Sequence, residues 1–403
     1  MKIIINALLV HILLTPVYSQ GWFALSSGTP YNLSSVYFVN DLTGWAVGDV
    51  GTIRKTTNGG TNWFAQTGSS ALSSVYFINS VTGWGSGPGG LIIKTTNSGD
   101  NWVTQTSGVT SQLRSIFFIN TLKGWAAGDG GIIRYTSDGG TSWAQQISGT
   151  TETLFSICFV NENRGWISGA NGKILYTNTG GANWVSQITA TTFPFYSITF
   201  INDQTGWAAG YQGILRKTTD AGASWLAQTS NVSSWLYGIR FINSLTGFSC
   251  GTGGTVITTQ NGGINWSAQT TPVGDNLYGL SFSSTLTGYA VGTTGRIIKT
   301  TNGGVTFITP ITNELPEKFS ISQNYPNPFN PVTEFEMQIA EYDRVNLEIF
   351  DAAGKKVETA VNEYLQPGSY KVVWNASAYS SGVYFSRMTS GKFSKMIKMI
   401  LIK

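Results

Sequence analysis

The sequence predicts an all-β protein. Aromatic residues make up 13% of the 403 residues, charged residues only 11%, and glycines number 49. Threonine, serine and asparagine are frequent, and the strand-forming aromatic residues are too abundant for a disordered chain. The net charge of +4 leaves no basic patch of the kind that binds nucleic acid, so we expect no nucleic-acid partner.

A repeated pattern predicts the architecture. A glycine followed by an aromatic residue recurs at spacings of 39 and then 41 residues, and a second aromatic residue follows each copy 18 positions later. Each period contains four short strand patterns, which is typical of a β-propeller blade. The seven leading aromatic residues are Trp45, Trp84, Trp125, Trp166, Trp207, Phe248 and Tyr289. We therefore predict a seven-bladed β-propeller over residues 20–309.

Two segments compete for the outermost strand of the last blade. Trp22 lies fourteen residues before Val36, the same distance that separates Trp102 from Ile116 in the next repeats. Residues 21–27 therefore look like the fourth strand of a blade whose first three strands are absent at this end of the chain. Phe307 is the second aromatic residue of the seventh copy itself. Either strand would close the ring, and the pattern leaves the choice open.

The turn between the third and fourth strands carries a recurrent motif, as in "TTNGGTNW" and "TSDGGTSW". In such turns an Asp or Asn side chain accepts backbone N–H groups. Because most copies carry neutral Asn, a structural role is favoured over a calcium site. Together with "GWAVG", these turns resemble the Asp-box (BNR-like) propellers of the photosystem II assembly-factor-like group. That resemblance implies that residues 22–309 act by binding rather than by chemistry.

The N-terminus predicts a secretory signal peptide at residues 1–19. Lys2 supplies the positive charge, residues 3–14 form a short apolar run, and small residues precede a cut before Gln20. A membrane anchor is the alternative, but the run is shorter than a membrane-spanning helix requires. We therefore expect an exported chain without a membrane span.

The same cut limits the chemistry of the mature chain. The single histidine, His11, lies in the predicted signal peptide, which excludes histidine metal sites and histidine-dependent catalytic triads. Cys158 and Cys250 fall at different places in the repeat, so we interpret both as small hydrophobic residues rather than a disulfide. The sequence predicts no cofactor and no metal site.

After the repeats, the composition predicts a second domain. Residues 310–330 are interpreted as a proline-rich linker and the start of the tail domain, and residues 331–403 as a small antiparallel Ig-like β-sandwich. "NYPNPFNP", "GSYKVVWNA" and the terminal "KMILIK" resemble the type A C-terminal sorting domain of type IX secretion cargo. The resemblance implies that the tail binds the type IX secretion machinery, that the protein is secreted or attached to the outer cell surface, and that the tail is removed.

A glycan-cleaving, sialidase-like propeller is the alternative function. Such enzymes need two carboxylates about 5 to 9.5 Å apart, and the equivalent Asp49 and Asp129 are too weak a pair to carry that mechanism. Arg54, Arg134 and Arg216 occupy equivalent positions in alternate blades, and we interpret their stems as packed between blades. We therefore expect a monomeric, non-catalytic propeller that binds a surface protein or a glycan.

Departures from the repeat locate the predicted binding site. We compared the residue that lies eleven positions before the leading aromatic residue in each of the seven repeats. In chain order these residues are Ser34, Ser73, Arg114, Phe155, Tyr196, Tyr237 and Tyr278. The last four are aromatic in successive blades, with Phe193 and Trp235 nearby, and such residues dominate binding hot spots. The predicted site comprises Arg114, Phe155, Tyr196, Trp235, Tyr237 and Tyr278. The alternative is that these side chains fill wider gaps between blades.

Overall fold

The structure is a computed structural model that describes residues 21–68, 70–304, 308–312, 316–376 and 379–403. The predicted signal peptide lies outside these residues. The described chain divides into two compact units, the first spanning Gly21–Gly304 and the second lying within Val305–Lys403. No helix in the described ranges is long and apolar enough to cross a membrane.

The first unit confirms the predicted seven-bladed propeller, with seven antiparallel four-stranded sheets. The first strands of neighbouring blades contact one another around the whole ring, including the last with the first, so these strands are innermost and enclose a channel. Blades are numbered in the order of these strands. The innermost strands are Leu33–Phe38, Ser74–Phe77, Leu113–Phe118, Leu154–Phe159, Phe195–Phe200, Leu236–Phe241 and Leu277–Phe282.

The other strands repeat the same layout. The second strands are Gly44–Gly48, Gly83–Ser86, Gly124–Gly128, Gly165–Gly169, Gly206–Gly210, Gly247–Gly251 and Gly288–Gly292. The third strands are Ile53–Thr56, Ile92–Thr95, Ile133–Thr136, Ile174–Thr177, Leu215–Thr218, Val256–Thr259 and Ile297–Thr300. The outermost strands are Phe64–Ala65, Val103–Gln105, Ala144–Gln146, Val185–Gln187, Leu226–Gln228, Ser267–Gln269 and, in blade seven, Phe23–Leu25. Short 3-10 turns lie at Pro88–Gly90, Asp129–Gly131, Tyr211–Gly213, Thr252–Gly254 and Thr293–Gly295.

The N-terminal segment closes the ring. Phe23–Leu25 pairs with Ile297–Thr300 of blade seven, and the indole Nε1–H of Trp22 donates to Gln269 Oε1 at 2.7 Å. The same bond joins Trp225 to Gln187 at 3.0 Å elsewhere in the ring. The competing Phe307 lies outside the described residues, and a phenylalanine has no N–H to donate to the glutamine. This donor gives a physical reason for the order of strands in blade seven.

Aromatic stacking joins each blade to the next. In blade two, the Trp84 indole stacks on Phe118 of blade three, with ring centroids 3.6 Å apart and planes within 8° of parallel. Trp143 meets the same phenylalanine edge-on at 5.9 Å. Gly124 lies against the other side of that ring, since a Cβ added there would stand 2.5 Å from Phe118 ring atoms. The glycine and the two aromatic positions of the repeat therefore form one packed unit across the blade boundary.

Hydrogen bonds fix the Asp-box turns. In blade one, Asn58 Oδ1 accepts from the backbone N–H of Asn62 at 3.0 Å, and Thr56 Oγ1 accepts from the N–H of Gly60 at 2.9 Å. Blade three repeats these bonds with Asp138, which also accepts from the Ser142 hydroxyl at 2.6 Å. These bonds support the structural interpretation of the motif.

We expect the two acidic turns to make the stability of the propeller depend on pH. Hydrogen bonds from Ser142, and then Thr136, lower the pKa of Asp138 to about 2, and Ser224 with Thr218 does the same for Asp220. A carboxyl whose pKa is lowered on folding stabilises the fold above its unfolded pKa, and this contribution is lost as the pH falls from about 4 towards 2.

The double substitution Asp138→Asn with Asp220→Asn tests this dependence. Four other blades already use asparagine at this position, so the urea midpoint at pH 7 is expected to stay close to that of the native protein. Between pH 4 and pH 2 the midpoint of the variant should fall less than the native midpoint. Parallel pH profiles of the two proteins would refute the assignment.

The tail is a β-sandwich around its own core, which confirms the second part of the predicted fold class. One sheet has the order Ile308–Thr312, Gly368–Asn375, Val332–Ile339 and Ser320–Ile321. The other has the order Lys356–Leu365, Asp343–Asp351, Gly382–Ser390 and Phe393–Leu401. Trp374 is fully buried between them and donates from Nε1 to Glu358 at 2.7 Å.

The segment that precedes residue 331 also contributes to the sandwich. Ile308–Thr312, which continues the spacing of the repeat, pairs with Gly368–Asn375 of the sandwich rather than with blade seven. Within residues 310–330, interpreted above as a linker and the start of the tail domain, Ile321 and Phe329 are buried in the sandwich core. Phe329 also exchanges backbone hydrogen bonds of 2.9 Å with the last strand. Residues at both ends of this proline-rich stretch therefore pair with strands of the sandwich that are distant in sequence.

Candidate binding site at the channel mouth

The start of each innermost strand turns one side chain towards the channel. In blade five, Phe195 is buried between blades, and a register shift follows it before Ser197. Tyr196, at this irregularity, is half-buried. Blade six repeats the arrangement with buried Leu236 and half-buried Tyr237. The residues that lie eleven positions before the leading aromatic residue of each repeat therefore form a tier near one end of the channel. We call this tier the mouth tier, and its members are Ser34, Ser73, Arg114, Phe155, Tyr196, Tyr237 and Tyr278.

The four predicted aromatic residues of the mouth tier form a continuous row. The ring centroids of Phe155 and Tyr196 are 5.3 Å apart, those of Tyr196 and Tyr237 5.3 Å, and those of Tyr237 and Tyr278 5.2 Å. All four side chains are half-buried, so each ring touches its neighbour while part of it stays open. The structure thus brings together residues that are 41 positions apart in sequence.

A second row of aromatic residues extends this surface. Trp235, which is 39% exposed, lies 6.3 Å from Tyr196 and 4.9 Å from Tyr211, measured between ring centroids. Tyr211 in turn lies 5.4 Å from Phe193, which is 45% exposed. Tyr211 was missed in the sequence prediction. The equivalent position holds Asp, Pro, Ala or Thr in the other blades. Comparing this position across the repeats would therefore have identified Tyr211 as an exception.

Arg114 ends the row but does not present a free charge. Its guanidinium lies over the Phe155 ring at 5.5 Å, and its Nε and Nη2 donate to the Asp129 carboxylate at 2.5 and 3.2 Å. A paired arginine of this kind holds its neighbouring ring in place. The structure therefore places Arg114 next to the predicted site as a supporting residue.

Tyr196 and Tyr237 remain neutral at physiological pH. Burial, and then the neighbouring Tyr211, raises the pKa of Tyr196. Burial, followed by Tyr278 and Tyr196, raises the pKa of Tyr237. Their hydroxyl groups are thus available as hydrogen-bond donors beside an apolar ring surface, a combination that favours peptide or sugar ligands.

A second tier lies three residues further along each innermost strand, and we call it the deep tier. The rings of Tyr37, Tyr76 and Phe117 contact one another in succession in tilted arrangements, with centroid distances of 4.8 and 5.0 Å. Burial raises the pKa of Tyr76, the neighbouring Tyr37 raises it further, and the positive charge of Arg240 acts in the opposite direction. Arg240 lies at the equivalent position of the innermost strand of blade six, so it belongs to the same tier. The seven members are Tyr37, Tyr76, Phe117, Cys158, Thr199, Arg240 and Ser281.

The two cysteines are free but differ in burial. Cys250 is fully buried, whereas Cys158 of the deep tier is only partly enclosed. Burial raises the pKa of the Cys158 thiol to about 12, with the charge of Arg240 acting in the opposite direction.

The arginines at equivalent positions of alternate blades bind backbone carbonyls. Arg54 donates to Gly28 O and Arg134 to Gly108 O, each at 2.6 Å, while Arg216 donates to Thr189 O at 3.3 Å. Their guanidinium groups therefore join adjacent segments of the ring instead of converging on one ligand.

Comparison with known families covers both units. The family described as Photosynthesis system II assembly factor YCF48 matches residues 101–186 and 142–231. The family described as Secretion system C-terminal sorting domain matches residues 323–403. No curated protein sequence matches the chain.

Solved structures show the same propeller fold. YCF48 from Cyanidioschyzon merolae is 19% identical with a TM-score of 0.60, and the match covers 70% of this chain and 98% of that one. A structure described as YCF48 bound to D1 peptide is also 19% identical, with a TM-score of 0.61 over 70% of this chain and 97% of that one. The WD40 β-propeller domain of Doa1 is 16% identical, with a TM-score of 0.59 over 71% and 97%. These findings confirm the recognition made from the sequence, a YCF48-like propeller followed by a C-terminal sorting domain.

Proposed function

Because a YCF48-like propeller is joined here to a secretion C-terminal sorting domain, we propose that the protein is a secreted or cell-surface binding module exported by a type IX route. The propeller is the functional part, and it binds an extended segment of another protein at the channel mouth without catalysing a reaction. The tail carries the export signal to the secretion machinery. The single observation that carries the proposal is the half-buried aromatic row from Phe155 to Tyr278.

The chemistry of the mouth supports a binding role. Tyrosine and tryptophan rings offer large contact areas with little loss of side-chain entropy on binding. The two carboxylates considered for hydrolysis have other partners, because Asp129 binds Arg114 and Asp49 accepts a hydrogen bond from Asn32. A YCF48 structure with a bound peptide supports the choice of a protein segment over a glycan.

The double substitution Tyr196→Ala with Tyr237→Ala tests the site. Peptides are first selected on the native propeller from a displayed random library, and their dissociation constants are then measured by fluorescence anisotropy. We expect binding to weaken at least tenfold, which corresponds to about 1.4 kcal/mol. The melting temperature should change little, because both side chains are only half-buried.

The control is Phe64→Ala, which removes an exposed aromatic residue from the outermost strand of blade one. It should leave peptide binding unchanged. A double variant that loses several kcal/mol of stability while keeping its peptides would show that the tyrosines are core residues. Selective binding on a glycan array, without any selected peptide, would instead overturn the choice of ligand class.

A further inference from the structure

Arg240 differs from every other arginine of the described propeller. It lies on the innermost strand of blade six, its side chain is exposed to the channel, and it has no hydrogen-bond or ion-pair partner among the described residues. The other six are engaged. Their partners are Gly28 O for Arg54, Asp129 for Arg114, Gly108 O for Arg134, Asp203 for Arg164, Thr189 O for Arg216 and Asp275 for Arg296.

The two tiers offer Arg240 no acidic partner. Tyr37, Tyr76 and Phe117 occupy the opposite wall of the deep tier, and neither tier contains an Asp or Glu. A cation held beside aromatic walls gains more from a counter-ion than it would in open water. A guanidinium binds a carboxylate through two parallel hydrogen bonds, which makes arginine suited to that group.

The position of Arg240 relates it to the mouth. It follows Tyr237 by three residues on the same strand, a distance of about 10 Å along an extended chain. A ligand that packs an aromatic side chain against Tyr237 thus reaches Arg240 with about two further residues.

From this geometry we infer that Arg240 is the anchor for a carboxylate carried by the peptide that enters the channel mouth. The peptide packs its aromatic side chain on the mouth tier, and its free C-terminal carboxylate binds the guanidinium in the deep tier. The inference rests on the proposed function, because it assigns the depth and the polarity of the same ligand. It adds a requirement for negative charge that the aromatic row does not impose.

The test uses four short probes on the full mature chain. They are N-acetyl-Tyr-Ala-Ala with a free carboxylate, the same peptide as its C-terminal amide, N-acetyl-Tyr-Ala-Glu amide, and N-acetyl-tyrosine. Dissociation constants come from ligand-observed NMR titration. We expect the free acid to bind at least tenfold more tightly than its amide, and N-acetyl-tyrosine, which is too short, to show no such gain. The glutamate amide distinguishes a side-chain carboxylate from a C-terminal one.

Arg240→Gln should remove the preference for the free acid while leaving the binding of the amide unchanged. The matched control is Arg296→Gln, which removes an exposed, ion-paired arginine and should keep the preference. Melting curves verify that both variants fold. Equal binding of acid and amide to the native protein, a preference that survives in Arg240→Gln, or no binding of any probe would each overturn the inference.

Failure of the inference and failure of the proposed function give different results. If acid and amide bind equally and both are lost in the Tyr196→Ala, Tyr237→Ala variant, the mouth site stands and the role of Arg240 is wrong. If the free acid binds through Arg240 but is insensitive to that double variant, the channel holds an anion site and the aromatic row is not the site proposed.

Discussion

Replacing Trp22 with alanine is expected to lower the free energy of unfolding of the propeller by about 3 to 5 kcal/mol. Trp22 is 1% exposed, meets Phe282 edge-on at 6.0 Å, and donates to Gln269. The substitution removes a large buried ring and also the residue that holds the closing strand against blade seven. Its effect therefore includes the loss of ring closure as well as a cavity.

Urea denaturation and limited proteolysis of the mature chain measure this effect. Trp22→Phe should cost less than Trp22→Ala, because one aromatic ring remains, although part of the buried indole and the bond to Gln269 are lost. The control is Ala24→Ser on the same strand, where the side chain is exposed. A Trp22→Ala variant as stable as the native protein would show that another segment completes blade seven.

The second large effect is expected from Gly124→Ala, with a loss of about 3 kcal/mol. The new methyl group would stand 2.5 Å from the Phe118 ring, which cannot retreat because Trp84 is stacked on its other face at 3.6 Å. The backbone of Gly124 does not require positive φ, so the cost arises from packing. Thermal and urea unfolding of the purified propeller protein report it.

Gly130→Ala is the matched control for backbone strain. Gly130 has φ of 70°, and a Cβ there would meet no atom within 4 Å, so alanine costs only about 1 to 2 kcal/mol of left-handed strain. Phe118→Leu should be less destabilising in the Gly124→Ala background than in the native protein, since it relieves the clash. A Gly124→Ala variant no less stable than Gly130→Ala, or additive with Phe118→Leu, would contradict this account.

The repeat made the propeller predictable because packing between blades imposes the same residues seven times. The glycine before Trp125 and the phenylalanine seven positions before it mark one contact, repeated around the ring. The choice between Trp22 and Phe307 was beyond the pattern, since it depends on a hydrogen bond to a glutamine 247 residues away. The pairing of Ile308–Thr312 was beyond the pattern for a similar reason, because its partner strand Gly368–Asn375 lies in the tail.

The candidate site was predicted in part. Comparing equivalent positions across blades identified Tyr196 and Tyr237 as neighbours, because the repeat fixes their spacing. The partner of Arg114 and the isolation of Arg240 depend on side-chain directions across the channel, which a one-dimensional pattern does not contain. Whether the aromatic row binds a ligand stays a prediction.

The closing strand also determines the order in which the propeller folds. Phe23–Leu25 is the first strand of the described chain to be synthesised, but its partner Ile297–Thr300 is among the last of the propeller. Contacts of such long sequence separation form slowly, because the loop between them must be closed first. Until then the seventh blade exposes an unpaired edge, which is a site for wrong strand pairing between chains. We therefore expect the ring to stay open until blade seven has been synthesised, and we expect pairing of the N-terminal strand to be a late step of folding.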